Sequence, residues 1–231
     1  MPTVRFPRRG VHGAIGLVGL KPSRGRISCG PDVGEAGFGK SQDFALTRSV
    51  RDAAHLLDTV EGPGVGDMYT PPPPRRPYAE ELGADPGVLR VAVTTSAWSG
   101  AAVDPEVAAA TVRASRLLQE LGHAVTEASP AVDWDNVMRA TAPAAIAGFA
   151  APFYSAPRLP DPAELEAVSR RILDGARDLG ALDLMAALDA QNRVTRSVGA
   201  FFTEHDPLVT PTLGQLPVPR GTLRYDDPAH T

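Results

Sequence analysis

Apolar positions along this chain recur at two spacings, and the changes between them mark out the elements. Leu17, Val18 and Leu20 form a short apolar run that reads as buried, too short for periodicity to separate strand from helix. Pro22 and Gly25 end it in a turn. Val50, Ala53, Leu57 and Val60 then fall at helical spacing, with Thr47 or Ser49 as the cap and Asp52 completing a capping-box spacing from Ser49. Gly62-Pro63 closes that helix. The clearest unit follows: Leu89-Arg90-Val91-Ala92-Val93-Thr94 alternates as a strand, and Asp104-Pro105-Glu106 opens a helix reaching about Leu121. Gly122 ends the helix, and His123-Ala124-Val125-Thr126-Glu127 reads as a second strand. Strand, helix and strand in this order predict a parallel pair joined by a right-handed crossover, which places the chain in the α/β class. From Asp133 to His205 the pattern is helical, interrupted between Pro152 and Pro162. Asp161-Pro162 predicts a helix with Leu165, Val168, Ile172 and Leu179 largely on one face, and another runs from about Leu182 to Phe202.

Composition narrows the possible functions. With 231 residues, 43% of them hydrophobic, the chain can bury a sizeable core. A net charge of −4, with charges interspersed, argues against a nucleic-acid or anionic-membrane surface as the main partner. The single cysteine, Cys29, permits no internal disulfide, and no stretch approaches the roughly 18 apolar residues of a membrane span. The charged, glycine-interrupted N-terminus lacks the apolar core of a signal peptide, so the expected location is the cytoplasm. Two lysines against 21 arginines, with abundant Ala, Gly and Pro, suggest a GC-rich coding bias, a hint about source and not function.

Several local patterns carry candidate chemistry. Gly34-Glu35-Ala36-Gly37-Phe38-Gly39-Lys40-Ser41 satisfies the P-loop spacing, whose backbone amides cradle phosphates. That reading requires a strand directly before Gly34 and a helix starting at Lys40 or Ser41, whereas Ser28-Cys29-Gly30-Pro31-Asp32 has turn composition; the competing reading is a solvated loop. Pro71, Pro74 and Arg76 fit an SH3-ligand spacing within a polyproline stretch, against a plain surface strap. Glu164 and Glu166, with Asp174 and Asp178, sit among arginines as on a solvated face. His123 follows a helix C-terminus, where it suits the dipole better than catalysis, and the five histidines show no metal-ligand spacing. No cofactor is expected.

Gly19-Leu20-Lys21-Pro22-Ser23-Arg24-Gly25-Arg26, then Leu46-Thr47-Arg48-Ser49-Val50-Arg51-Asp52-Ala53-Ala54 and Gly62-Pro63, resembles the amidase signature family of serine hydrolases, in particular bacterial amidases of the 6-aminohexanoate-cyclic-dimer hydrolase type. Asp206-Pro207-Leu208-Val209-Thr210-Pro211-Thr212 resembles the Thr-Pro-Thr strand of that family. The resemblance implies a partial amidase-signature fold, a mixed sheet flanked by helices, lacking N-terminal and C-terminal parts. It divides the single partial domain 1–231 into a signature region (16–62), a Pro-rich strap (63–87), the strand-helix-strand unit (88–128), a helical part (129–205) and the final strand and loop (206–219). The family's nucleophilic serine lies just upstream of Gly-Leu-Lys-Pro, where Thr3-Val4-Arg5-Phe6-Pro7 resembles Ser-Ile-Arg-Ile-Pro, so Thr3 takes the nucleophile's place. Met1-Pro2 stands where the family has two glycines, and Pro2 has no amide to donate to an oxyanion.

The family's Ser-cis-Ser-Lys triad has no counterpart: there is no Ser-Ser pair, and neither Lys21 nor Lys40 matches the triad lysine. The implied function is amide-bond hydrolysis of a small-molecule amide, inactive in this chain alone; the alternative is a non-catalytic remnant or interaction fragment. Missing sheet neighbours predict marginal solubility, and a complementary fragment or self-association through exposed edges as partners.

Overall fold

The computed structural model describes residues 16–31, 37–40, 42–158, 160–227 and 229. Strand β3 (Arg90–Val93) is the centre of a three-stranded parallel sheet in the order β4-β3-β5. Its partners are β4 (Ala124–Glu127), with Val91 opposite Val125, and β5 (Leu208–Val209), with Ala92 opposite Leu208. Val91 and Ala92 point to opposite faces, yet both are fully buried, as a central parallel strand covered on both sides requires. Helix α3 (Pro105–Glu120) makes the connection from β3 to β4. Asp104 caps it by accepting a hydrogen bond from Glu106 N–H at 2.8 Å, and Pro105 occupies the first turn, where a missing N–H costs nothing. The strand-helix-strand unit therefore stands as the sequence predicts.

The N-terminal part holds a second, two-stranded antiparallel sheet of β1 (Val18–Gly19) and β2 (Leu46–Thr47). The expected buried run at Leu17, Val18 and Leu20 is half-buried to exposed, because the sheet has only two strands among the described residues. Helix α1 (Val50–Val60) is capped by Ser49, whose Oγ accepts from Asp52 N–H at 3.1 Å. Its buried side is Ala53, Ala54 and Leu57; Val50 and Val60, expected on the same stripe, are 60% and 41% exposed. They occupy the helix ends, beyond the reach of the cluster formed by Phe44, Ala53 and Leu57 with Ile27, Leu56 and Tyr78. One turn, α2 (Tyr78–Glu81), docks on α1 because Asp58 caps it, accepting from Tyr78 N–H and Ala79 N–H at 2.6 and 2.9 Å.

The helical part is a long pair, α4 (Trp134–Tyr154) packed along α6 (Ala181–Phe201), with α5 (Ala167–Arg177) against α4. Small side chains let the backbones approach: Ala140 and Ala144 of α4 and Ala187 and Ala190 of α6 are buried. Helix α4 continues through Pro143 and Pro152, two residues past the predicted break. Each ring removes one intrahelical donor, and packing offsets the loss. Asp161 accepts from Ala163 N–H at 2.9 Å but caps only a single 3-10 turn, Pro162–Glu164. Extended backbone at Leu165 and Glu166 then separates that turn from α5, so the helix predicted from Pro162 starts at Ala167 instead.

Candidate functional site

The polar contacts of the signature region converge on one loop system. Arg26 C=O accepts from Gly62 N–H at 3.0 Å, and Ile27 bridges to Gly62, so the loop after β1 runs beside the end of α1. Arg26 Nη1 pairs with Glu61 at 3.4 Å in a half-buried setting. Ser28 Oγ donates to Asp67 Oδ1 at 3.0 Å and accepts from Gly30 N–H at 3.1 Å, while Asp67 Oδ2 accepts from Gly64 N–H at 2.8 Å. That carboxylate is thus a clasp between two loops. Arg24 lies with its guanidinium carbon 5.0 Å from the Tyr69 ring centroid and donates through Nε to Gly39 C=O at 3.3 Å.

Two glycines make this approach possible. Gly25 has φ +72°, and a Cβ there would stand 2.6 Å from Tyr69 C=O; Gly39 has φ +74°, and a Cβ there would stand 2.1 Å from Arg24 Nε. Both positions need the left-handed backbone and the missing side chain together.

The turn containing Gly37 to Lys40 is seated on the helical pair. Gln191 Nε2 of α6 donates to Phe38 C=O at 3.1 Å, Gly148 of α4 faces Gly37, and Lys40 Nζ donates to Ala140 C=O. This corrects the P-loop reading. Gly34, Glu35, Ala36 and Ser41 lie outside the described residues; among the described ones, residues 37–40 form a turn, residues 28–31 contain no strand, and the next helix begins at Val50. Lys40, the side chain that would reach a phosphate, is held on a helix carbonyl. Lys21 Nζ donates to Pro22 C=O at 3.0 Å.

Thr3 lies outside the described residues. His123 Nδ1 accepts from Leu89 N–H at 3.3 Å, a tie between the entries to β4 and β3. Asp174 pairs with Arg177 at 3.0 Å in the open, in keeping with a solvated face. The polyproline residues Pro72, Pro73 and Pro74 share a shallow groove with Arg26 and Tyr78, as a surface strap does. Among the described residues no group of three His, Cys, Asp or Glu side chains could hold a metal ion, and no helix is long and apolar enough to cross a membrane.

Pattern reading missed the ionic tie of the sheet. Asp206 accepts from Arg90 Nη2 and from Arg90 N–H at 2.8 and 2.7 Å, linking β3 to the entry of β5 across 116 residues. The Arg90 side chain, then its backbone N–H, hold the Asp206 carboxyl well below its ordinary 3.8, at about 2. A lowered folded-state value means the contribution is fully present above pH 3.8 and is lost as pH falls through about 2. Asp206→Asn is therefore expected to lower the melting temperature modestly at pH 5 to 7 and to converge on the parent near pH 2, read by circular dichroism across pH; a constant gap at all pH values would contradict the assignment.

A parallel sheet, a covering helix and a glycine-held loop docked on a helical pair define an α/β fold. The Amidase family model matches residues 13–231, and the chain belongs to this family. It is 48% identical over 131 residues to 6-aminohexanoate-cyclic-dimer hydrolase of Paenarthrobacter ureafaciens, covering 55% of this chain and 26% of that protein. An acylamidase of Rhodococcus erythropolis is 30% identical over 220 residues, 94% of this chain and 44% of the acylamidase. The solved structure of 6-aminohexanoate cyclic dimer hydrolase complexed with substrate superposes with a TM-score of 0.78 at 31% identity, covering 84% of this chain and 42% of that one. The chain thus spans less than half the length of these relatives, and its fold matches part of the solved one.

Proposed function

We propose that these 231 residues are one partial amidase domain, the signature-loop and sheet portion of a hydrolase acting on non-peptide C–N amide bonds of small carboxylic acids. Family membership and the relatives' substrates, a cyclic aminohexanoate dimer and acyl amides, support that substrate class. The chain does not hydrolyse amides by itself.

What supports this second statement is that the sequence holds no adjacent serine pair, while Lys21 Nζ donates to Pro22 C=O and Lys40 Nζ to Ala140 C=O. A hydroxyl such as Thr3, placed by resemblance at the nucleophile's position, is a poor nucleophile without a base.

The test is to sequence the DNA directly upstream of the Met1 codon and read three frames. A lysine followed by a Gly-Ser-Ser-Gly-Gly segment, in frame or one frameshift away, is the expected result. Its absence would overturn the hydrolase reading and leave an interaction or remnant role.

A further inference from the structure

We propose that helix α3 is a self-docking surface, on which a second copy of this chain packs its own α3 antiparallel across a stripe of alanine and leucine. The helix keeps small hydroxyl side chains inside and leucines outside. Its buried positions are Thr111 and Ser115, whose hydroxyls donate back to Val107 C=O at 3.2 Å and Val112 C=O at 2.8 Å, with Leu118 half-buried beside them. Leu117 and the C-cap residue Leu121 stand outside, exposed by 56% and 65%. Ala110 and Ala114, also exposed, complete the stripe. Stepping from Ala110 to Ala114, Leu117 and Leu121, the side chains fall within about 60° of arc at the pitch of an α-helix. That is the spacing with which one helix packs along another.

The stripe is complementary to itself. A two-fold axis midway between Ala114 and Leu117 sets Ala114 against Leu117 of the other copy and Ala110 against Leu121. Every leucine then meets an alanine, so the two surfaces interdigitate and no layer holds two large side chains.

The flanks decide between orientations. On one side of the stripe Thr111 and Leu118 are buried and half-buried; on the other, Arg113 and Glu120 are exposed and form no ion pair among the described residues. In the antiparallel arrangement Arg113 lies beside Glu120 of the second copy, and the symmetry repeats that contact. A parallel pair in register would stack Leu117 on Leu117 and set Arg113 beside Leu118, with no partner for its charge. Charge complementarity therefore selects a second copy, turned end for end, as the occupant. The contact is short, so the dimer is expected to be weak and in exchange with the monomer.

Sedimentation equilibrium of the full 231-residue chain over a range of concentrations reads the association. The expected result is a reversible equilibrium between monomer and dimer. Leu117→Glu changes an exposed side chain and should abolish the dimer; Leu117→Gln, which adds no charge, should weaken it about tenfold or more. Arg113→Glu and Glu120→Arg each set like charges together at both symmetric contacts and should weaken it about tenfold. Combining the two substitutions restores opposite charges and should return the constant to within about threefold of the parent. Circular dichroism checks that each variant keeps its helix content.

Should Leu117→Glu fail to fold, the glutamine variant and the charge pair still decide. A chain monomeric at every concentration would overturn the proposal and leave the stripe to a different partner. A dimer insensitive to both Leu117 variants, as pairing through sheet edges would give, would also overturn it. So would single charge variants whose loss the combined variant does not repair. None of these outcomes depends on hydrolysis, so failure here leaves the amidase reading standing.

Discussion

Gly25→Ala should destabilise the chain by about 3 kcal/mol, combining roughly 1–2 kcal/mol for an L-residue in the left-handed region with the cost of overpacking. The backbone at Gly25 has φ +72°, and the new Cβ would meet Tyr69 C=O at 2.6 Å and Tyr69 Cβ at 2.8 Å. Neither atom is the far end of a flexible side chain, so the loop itself must move. The expected consequence is loss of the Arg24 to Tyr69 stacking as well as of stability. Gly66→Ala is the matching control, since Gly66 has φ +90° with nothing within 4 Å of its Cβ position. It should cost only the conformational part, roughly 1–2 kcal/mol. Urea unfolding of both variants separates the terms: equal losses would contradict the steric account of Gly25.

Phe44→Ala is expected to cost about 3–5 kcal/mol, the usual range for truncating a buried aromatic side chain. Phe44 packs with Ala53 and Leu57 of α1 and gathers Ile27, Leu56 and Tyr78, so its removal loosens the signature loop, α1 and the capped turn α2 together. Val50→Ala removes an apolar side chain from the same helix at a site 60% exposed and should change stability by less than about 0.5 kcal/mol. Thermal unfolding of the two variants distinguishes a cluster anchored on Phe44 from one spread along the stripe from Val50 to Val60. Comparable losses would favour the stripe.

Local grammar was readable in the sequence. Ser49 and Asp104 cap the helices they were expected to cap, and the unit from β3 through α3 to β4 follows from alternation, cap and turn residues within a few positions of one another. Asp161 shows the limit. Its cap chemistry was right, yet the turn it starts lasts three residues, because a cap satisfies first-turn amides without deciding whether Leu165 continues the helix. Pro152 shows the converse, a breaker tolerated inside α4 because packing on α6 outweighs one lost donor.

The exposed ends of α1 could not be read from period alone, since periodicity gives a direction and not the extent of what covers it. The long-range ties, Asp206 to Arg90, Gln191 to the Phe38 carbonyl and Asp67 to Ser28, join residues 39 to 153 positions apart. No spacing rule reaches that far; the family resemblance located the loops but not these partners. Similarly, the P-loop spacing matched letter by letter, and only the turn at residues 37–40 and the seat of Lys40 on Ala140 separate it from a phosphate cradle.

An amidase-family chain with no adjacent serine pair, and with Lys21 and Lys40 each donating to a backbone carbonyl, is expected to lack an activated nucleophile. The most direct measurement is hydrolysis of a simple aryl amide by the purified 231-residue chain, beside its Thr3→Ala variant. No turnover above the uncatalysed rate is expected for either protein. Turnover by the parent chain that disappears in Thr3→Ala would contradict it and establish Thr3 as a working nucleophile.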